Sequence, residues 1–275
     1  MLLVPLEEET VFEIAGPDAE RYLQGQTTCD VAALSLGQAT MGALCDLKGR
    51  VEATFYLYRE EEERFWLVVP SRMAEPVLAR LQRYRLRSRV DFARSGPRSF
   101  GLFGTPPEGV PAWKTPFGAS RLLAVPEALF PALAEQIHLK PESFWRLREI
   151  EAGVPTILPE TASAFLPQML DLDRLGAVSF AKGCYLGQEV VARAQFRGEV
   201  KRRLFYGEIV GRNPPPPGSP LLAGGERIGT VVGAAFDEEE NRTRLLAVVL
   251  VERAAEAVRT ERGEAVGVLR RPERP

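Results

Sequence analysis

Apolar and polar residues alternate along several short segments in the first half of the chain. In one of them, apolar side chains occupy every second position, at Val51, Ala53, Phe55 and Leu57. A period of two residues is typical of a β-strand with one buried face. Similar apolar segments predict further strands at 41–44, 65–69, 90–93 and 100–103.

Helical periodicity occurs between these strands. Gly16-Pro17-Asp18 places a proline at the first turn of a helix that ends near Thr28. Apolar spacing and terminal proline and glycine predict three more helices, at 73–87, 127–137 and 141–152. Because strands and helices do not alternate regularly, the sequence predicts an α+β fold with antiparallel sheet.

The pattern changes in the last quarter of the chain. Residues 214–217 are four prolines, which form a stiff extended spacer. Around them, short apolar segments and glycine-rich turns predict strands at 203–209, 227–235, 245–251 and 265–269. Short strands of this kind indicate a small barrel. We therefore expect an α+β region at residues 1–197 and a C-terminal β-barrel domain at residues 198–275.

Composition and charge narrow the function classes. The formal net charge of −2 over 275 residues offers no general attraction to nucleic acid or to an anionic membrane. The first residues lack the basic segment of a signal peptide, and no apolar run approaches the roughly 18 residues of a membrane span. We expect a cytoplasmic protein with no membrane partner and no direct nucleic-acid binding.

Cysteine and histidine are scarce. The chain has three cysteines, Cys29, Cys45 and Cys184, and one histidine, His138. Such a sparse, odd set of cysteines fits a reducing compartment, and the spacing matches no zinc or iron–sulfur signature. We expect no metal site held by the protein.

The most distinctive motif is the octet Lys182–Glu189, with sequence Lys-Gly-Cys-Tyr-Leu-Gly-Gln-Glu. It places Cys184 two residues after Lys182 and just before a predicted helix. A cation and a helix N-terminus both stabilise a thiolate, so Cys184 is a candidate reactive thiol. The alternative is a buried, inert cysteine. Cys–His catalysis is disfavoured, because the sole candidate base, His138, lies in an amphipathic segment.

Charged residues near the octet and at one helix end are further candidates. A basic cluster follows the octet, at Arg193, Arg197, Lys201, Arg202 and Arg203. It could clamp a carboxylate or phosphate, or form a solvated surface. Glu151 lies in a last helical turn, where a carboxylate opposes the helix dipole. It could bind ligand N–H groups or pair with Arg146 or Arg148.

Three stretches together resemble one protein family. They are residues 24–30 (Gln-Gly-Gln-Thr-Thr-Cys-Asp), residues 42–50 (Gly-Ala-Leu-Cys-Asp-Leu-Lys-Gly-Arg), and the octet with residues 191–198 that follow it. Over nearly its whole length the chain resembles the YgfZ family of folate-binding proteins. This family is related to the glycine-cleavage T-protein, an aminomethyltransferase. The octet is highly specific for YgfZ-type proteins, whereas the T-protein shares the first two stretches more loosely.

The resemblance implies three subdomains around a central channel. Two would be α+β, one of them ferredoxin-like and the first discontinuous in sequence, and the third a small C-terminal β-barrel. The implied cofactor is tetrahydrofolate or a one-carbon derivative. YgfZ-type proteins are implicated in iron–sulfur cluster assembly or repair and in tRNA modification, so iron–sulfur client proteins are the implied partners. The signature cysteine corresponds to Cys184, and Cys184 with Lys182, which would lower its pKa, is the candidate catalytic pair.

The resemblance to the T-protein implies folate contacts at the matching positions of this chain. Glu151, in Glu-Ala-Gly, matches a T-protein glutamate that recognises the pterin ring. Lys201, Arg202 and Arg203 match a basic run that approaches the folate tail. Gln188 of the octet is grouped with these residues as cofactor-binding.

One departure from the T-protein bears on catalysis. Where the T-protein has an aspartate used in its folate chemistry, this chain has Ala53 or Thr54. Glu52 is adjacent, but alternation would turn it to the opposite strand face as an exposed charge. The favoured hypothesis is a folate-binding accessory protein for iron–sulfur proteins. A folate-dependent aminomethyltransferase or related one-carbon transferase, and a pure interaction module, are the alternatives.

Overall fold

The computed structural model describes residues 1–94, 96–108, 110–123, 137–267 and 269–273. The helix predicted at 127–137 lies outside these residues except for its last position. The other predicted helices and most of the predicted strands are confirmed, with small shifts at their ends.

The described strands are, in chain order, β1 (Leu2–Leu6), β2 (Glu9–Ala15), β3 (Ala39–Cys45), β4 (Val51–Glu61), β5 (Arg64–Pro70), β6 (Asp91–Ala93), β7 (Ser99–Phe103), β8 (Ala112–Lys114), β9 (Ser120–Leu123), β10 (His138–Leu139), β11 (Arg202–Val210), β12 (Pro220–Ala223), β13 (Glu226–Asp237), β14 (Arg242–Leu250) and β15 (Val258–Thr260). The described α-helices are α1 (Ala19–Gln26), α2 (Ala74–Arg85), α3 (Glu142–Glu151) and α4 (Gln188–Phe196).

Three five-stranded sheets organise the described chain. Their strand orders are β10-β1-β7-β9-β8, β3-β4-β5-β2-β6 and β11-β14-β13-β12-β15. Neighbouring strands are antiparallel except β1 and β10, which are parallel. Because β1 and β2 belong to different sheets, the chain starts in the first sheet, builds the second, and returns to the first at β7.

The third sheet is a half-barrel whose two edges are connected by the segment after β15. Ala265 bridges Arg259 of β15, and Val266 bridges Ile209 of β11. Of the strand predicted at 265–269, the described residues 265 and 266 form isolated bridges rather than a ladder. The proline run lies in the connection between β11 and β12, where no ladder hydrogen bonds are needed.

Helices α1 and α2 cover one face of the second sheet. Leu23 of α1 and Val77 and Leu81 of α2 are buried in the same apolar cluster as Phe55 of β4. Each fully buried side chain of this kind contributes roughly 1.5–3 kcal/mol, so this apolar face holds both helices on the sheet.

Helix α3 packs on the first sheet through Trp145, which is fully buried. A Cβ on Gly101 of β7 would lie 2.2 Å from the Cε3 atom of Trp145, so the indole requires glycine there. Phe103 and Phe117 meet the indole edge-to-face, at 5.7 and 4.8 Å between ring centroids. This packing fixes the position of α3 and therefore of the charged residues near its end.

One apolar cluster connects all three sheets. It contains Tyr56 of the second sheet, Trp113 of the first, Ile150 of α3 and Leu246 of the third. The α+β class predicted from the sequence is confirmed. No helix in the described part of the chain is long and apolar enough to span a bilayer.

Candidate functional site

The octet forms a loop that packs against the other two sequence motifs. The Leu186 N–H donates to the carbonyl of Gly25 in α1, at 3.3 Å. Gly187 lies against the turn between β3 and β4: a Cβ there would lie 2.3 Å from the carbonyl oxygen of Asp46. Its φ of +84° is also in the left-handed region. Glycine is therefore required at 187 for both close approach and backbone conformation.

The Lys182 side chain is buried beneath this junction. Its Nζ donates to the carbonyl oxygens of Gln24, Thr27 and Cys29, each at 2.7 Å. Burial lowers the pKa of Lys182 to about 8, opposed by nearby negative charge. The amine therefore ties the octet to the end of α1. The sequence predicted that Lys182 acts on the Cys184 thiol. In the structure the three N–H donors of its ammonium are used on backbone carbonyls.

Cys184 is exposed, whereas Cys29 and Cys45 are buried. Gly187 caps the N-terminus of α4, so Cys184 precedes the helix rather than lying in its first turn. Burial raises the pKa of the Cys45 thiol to about 12 and also raises that of Cys29. Cys184 is thus the thiol that a partner in solution reaches. The sole histidine, His138, lies on the edge strand β10 of the first sheet.

The first motif, residues 24–30, organises backbone rather than presenting free side chains. The Gln24 amide donates to Asp30 Oδ1 at 2.9 Å and accepts from the Val31 N–H at 2.7 Å. Thr28 Oγ1 donates to the carbonyl of Ala177 at 2.7 Å. These bonds hold the carbonyls that receive the buried lysine.

A cavity of about 540 Å³ lies where the second and third sheets meet α3, and we call it the central cavity. This volume is within the roughly 300–1,000 Å³ of small-molecule sites. Its lining combines apolar side chains with five charged ones. The apolar residues include Ile150, Val154, Val232 and Leu246, and the charged residues are Glu7, Glu8, Arg72, Arg146 and Glu149. Such a lining suits a ligand with an apolar body and a few polar groups.

A buried ionic cluster borders the central cavity. Arg121 of β9 is fully buried and pairs with Glu9 and, at 3.4 Å, with Glu149. Arg146 donates to the other Glu149 oxygen at 2.8 Å. Burial opposes the charged form, but the Glu149 and Glu9 carboxylates outweigh it and raise the pKa of Arg146. The two arginines therefore hold the Glu149 carboxylate at the cavity wall.

The sequence patterns did not indicate this cluster as a site. Glu9, Arg121 and Glu149 are far apart in the chain and meet only through the sheet order. The available signals were a charged residue within the apolar strand 120–123 and a second carboxylate two positions before Glu151.

A crevice of about 20 Å³ lies beside the central cavity, with which it shares Arg146 and Glu149, and Thr54 and Tyr56 of the second sheet line it. Thr54 Oγ1 accepts the Ile157 N–H at 3.1 Å. Ala53 lies in the apolar cluster on the other face of the sheet. Of the two residues at the position of the T-protein aspartate, Thr54 is therefore the one that faces the crevice.

Glu52 pairs with Arg80 of α2. Arg80 Nε donates to Glu52 Oε2 at 2.7 Å, and the same guanidinium donates to Gln26 Oε1 at 2.9 Å and to the Cys45 carbonyl at 3.1 Å. The pairing of β3 with β4 shifts register at Leu44 and Cys45, opposite this position. The Glu52 carboxylate is thus ion-paired against α2.

Glu151, the last residue of α3, lies between two arginines. One oxygen accepts from Arg148 at 2.6 Å, and the other pairs with Arg244 of β14. The residues that this end of α3 contributes to the central cavity are Glu149 and Ile150. In this structure Glu151 joins α3 to the third sheet.

The predicted folate-tail residues lie at the start of β11. Arg203 donates to the Gln168 carbonyl at 2.8 Å, and Arg202 donates to the Ile228 carbonyl at 3.5 Å. Lys201 is exposed. Consecutive side chains of a strand alternate between its faces, so Arg202 and Arg203 point to opposite sides of β11. Of the three residues, Arg203 lines a described surface hollow, of about 390 Å³.

Gln188 begins α4, and its side-chain oxygen accepts the Tyr185 N–H at 3.3 Å. It therefore helps to shape the octet loop. Among the described residues, no group of three or more His, Cys, Asp or Glu side chains could hold a metal ion.

Comparisons with known proteins define the class to which this fold belongs. The GCVT N-terminal domain model matches residues 3–104. The crystal structure of the glycine cleavage system aminomethyltransferase T from Bartonella henselae aligns with a TM-score of 0.74 and 19% identity, covering 96% of this chain and 83% of that one. The chain therefore has the fold of the aminomethyltransferase T-protein.

Relatives of higher identity give the family. The tRNA-modifying protein YgfZ of Cronobacter sakazakii is 34% identical, with 91% of this chain and 84% of the relative covered. The protein of the same name from Escherichia coli is 32% identical, covering 87% and 82%. An uncharacterized protein from Haemophilus influenzae is 33% identical, covering 84% and 83%. The chain belongs to the YgfZ family.

Proposed function

We propose that this chain is a cytoplasmic, tetrahydrofolate-binding accessory protein that supports tRNA modification by maintaining iron–sulfur enzymes. The observation that carries the folate assignment is the central cavity. Its size, its apolar wall and the carboxylate of Glu149 fit a flat ring with N–H donors on one edge. The names of the Cronobacter and Escherichia relatives support the tRNA-modification assignment.

A carboxylate at the end of α3 would recognise the pterin ring. A carboxylate accepts two N–H bonds from an aminopyrimidinone edge in a charge-assisted pair. The family resemblance assigns this role to Glu151, which would have to exchange Arg148 or Arg244 for the ligand. Glu149 lines the cavity and is the second candidate, and it too would have to exchange a present donor, Arg146 or the Trp145 indole, for the ligand. In either case bound folate would supply one-carbon chemistry, and the residues of α3 would orient it.

Two matched substitutions separate these candidates. Glu149→Gln and Glu151→Gln each keep the size of the side chain and remove its charge. We expect the variant of the recognising residue to bind 5-formyltetrahydrofolate more weakly by about 1–3 kcal/mol in calorimetry, the usual loss for a charged hydrogen-bond partner. Glu252→Gln, at an exposed position, is the control. Wild-type affinity in both α3 variants would remove this helix end from folate recognition.

Cys184 would supply the thiol chemistry of the accessory role. It is exposed and lies in the loop that joins the three family motifs. In a bacterium that lacks its own YgfZ relative, we expect Cys184→Ala to fail to restore thiolated tRNA nucleosides measured by mass spectrometry. Gly183→Ala, in the same loop with open space around its Cβ, should restore them. Full restoration by Cys184→Ala would exclude the thiol from the function.

The fold also favours a second candidate, a folate-dependent aminomethyltransferase or related one-carbon transferase. The uncharged Thr54 at the crevice and the pairing of Glu52 with Arg80 argue against it. Purified protein is expected to release formaldehyde from methylenetetrahydrofolate no faster than heat-denatured protein does. Faster release, reduced by Glu149→Gln or Glu151→Gln, would favour the one-carbon transferase.

A further inference from the structure

A cavity of about 650 Å³ lies at the ends of α1 and α2, and we call it the α1–α2 cavity. Its lining comes from both helices and from the segment that follows α2, and includes Arg21, Gly25, Gln26, Tyr84 and Arg87. The Gly25 carbonyl accepts the Leu186 N–H of the octet loop. The α1–α2 cavity therefore borders the loop that carries the exposed thiol, and it shares no described lining residue with the central cavity.

Positive charge is concentrated around the α1–α2 cavity. Residues 80–89 include five arginines and no carboxylate. Of the described lining residues, Asp18 is the one carboxylate, and it already accepts the Arg89 backbone N–H at 2.8 Å and Arg89 Nε at 3.2 Å. Arg21 and Arg87 are exposed, and neither guanidinium has a hydrogen bond or a salt bridge to another described residue. Two cations at one cavity, without salt bridges, attract an anionic ligand.

The α1–α2 cavity also has groups that fit a nucleobase. Tyr84 is half-buried, and the guanidinium of Arg80 lies over its ring, 4.9 Å from the centroid. The same guanidinium donates to Gln26 Oε1 at 2.9 Å. The Gln26 amide nitrogen has no partner among the described residues and is left as a donor. Bases stack on aromatic side chains, and their edges accept hydrogen bonds from side-chain amides.

We propose that the α1–α2 cavity binds a nucleotide of a single-stranded RNA segment. Tyr84 stacks on the base, Gln26 donates to its edge, and Arg21 and Arg87 pair with the phosphates. Arginine suits this role because its planar guanidinium pairs with phosphate through two parallel hydrogen bonds. The expectation of no nucleic-acid binding came from the net charge of −2, which averages over this cluster. The choice of RNA over DNA rests on the proposed function.

The arginines continue beyond the cavity, which favours a strand over a free nucleotide. Arg83 and Arg85 are exposed in the last turn of α2, and neither lines the cavity. Arg85 lies 3.5 Å from the exposed Asp91, and Arg83 has no salt bridge within the described chain. A mononucleotide would leave both cations unused, whereas a bound strand has further phosphates to place there. An acidic protein segment has the charge but no base for Tyr84.

The test compares two double charge reversals with equal change in net charge. The site variant is Arg21→Glu/Arg87→Glu, and the control is Arg227→Glu/Arg262→Glu, at exposed positions in the C-terminal part of the chain. Fluorescence anisotropy measures the affinity of each protein for a short, fluorescein-labelled single-stranded RNA of mixed sequence, without added folate. Tyr84→Leu tests the base contact at unchanged charge. Circular dichroism verifies folding, and Arg21→Gln/Arg87→Gln replaces the site variant if the reversal does not fold.

We expect the site variant to bind the RNA about tenfold or more weakly than the control, and the wild-type affinity to fall as salt rises. Tyr84→Leu should bind about threefold or more weakly than wild type, because base stacking is lost. The inference is overturned if wild type does not bind the RNA, or if the site variant and the control bind it equally.

Two competition experiments test the other occupants. Adenosine monophosphate that displaces the labelled RNA as well as unlabelled RNA does, at equal nucleotide concentration, would overturn the inference in favour of a free nucleotide. Equal displacement by poly-L-glutamate would overturn it in favour of an acidic protein segment. Because no folate is present in these measurements, a failure of the proposed folate binding would leave their outcome unchanged.

Discussion

The octet junction and the central cavity use buried charge in opposite ways. At the junction, the Lys182 amine lies among neutral carbonyl oxygens and ties three short sequence motifs together. At the cavity, Arg121 and Arg146 pair with the carboxylates of Glu9 and Glu149, and this ionic cluster borders the cavity wall. One region shapes backbone, and the other shapes a binding surface.

The difference shows that the most distinctive motif need not contain the binding chemistry. Most of the octet's contacts position the loop, and the exposed Cys184 is its available nucleophile. The residues around the cavity form no contiguous motif, yet their charges are paired across two sheets and a helix. Four substitutions test whether the two regions are as distinct as this comparison states.

The largest effect is expected from Arg121→Met. This change leaves the buried Glu9 and Glu149 carboxylates without their shared partner. We expect a loss of about 3–5 kcal/mol in the free energy of unfolding, measured in urea, as for breaking other buried ion pairs. Arg94→Met, at an exposed pair with Glu75, should cost less than about 1 kcal/mol. Similar losses in both variants would contradict the buried cluster.

A somewhat smaller loss is expected from Lys182→Met, which leaves three carbonyls without their donor. Unsatisfied buried groups cost about 1–3 kcal/mol each, and partial relaxation should keep the total at about 3 kcal/mol.

The pH dependence of the same variant has a definite sign. Burial lowers the folded pKa of Lys182 from 10.5 to about 8, so the unfolded chain binds more protons between these values. Stability therefore gains from Lys182 as pH rises through this window. The difference in unfolding free energy between wild type and Lys182→Met should increase from pH 8 to pH 10. A constant difference would show that burial does not perturb this amine.

The loss of stability expected from Gly187→Ala is intermediate between those of Lys182→Met and Cys184→Ala. Its φ of +84° and the 2.3 Å approach of a Cβ to the Asp46 carbonyl oxygen make alanine strained. We expect a loss of about 1–3 kcal/mol in thermal unfolding. Gly176→Ala, with φ of +72° and no atom near its Cβ, isolates the backbone contribution. Equal losses at the two positions would mean that the octet does not depend on its close contact with the β3–β4 turn.

The smallest effect on stability is expected from Cys184→Ala, within about 0.5 kcal/mol, because the side chain is exposed. In the native wild type, a maleimide reagent should label one thiol, and this variant should remove the labelling. Burial raises the pKa of Cys29 and Cys45 and shields both sulfurs. Native labelling of either one would indicate that the junction opens.

The sequence by itself determined much of the local structure. Alternation at Val51–Leu57 predicted β4, proline and glycine marked the ends of α3, and the proline run marked a change to all-β structure. These features depend on backbone preference and on which face is buried, and both are written in neighbouring residues. The motifs also sufficed to identify the family.

Only the tertiary structure decided which charged groups meet. It placed Glu149 at the cavity wall and Glu151 between Arg148 and Arg244, and it directed Lys182 to the end of α1. From the sequence alone, Glu149 and Glu151 are equivalent candidates, because both lie near the end of the same helix. Arg146 and Arg148 pair from the same helix, as local spacing allows, and Arg148 was one of the two partners expected for Glu151. Arg121 and Arg244 come from distant strands, so their pairing depends on sheet order and packing, which no local pattern records.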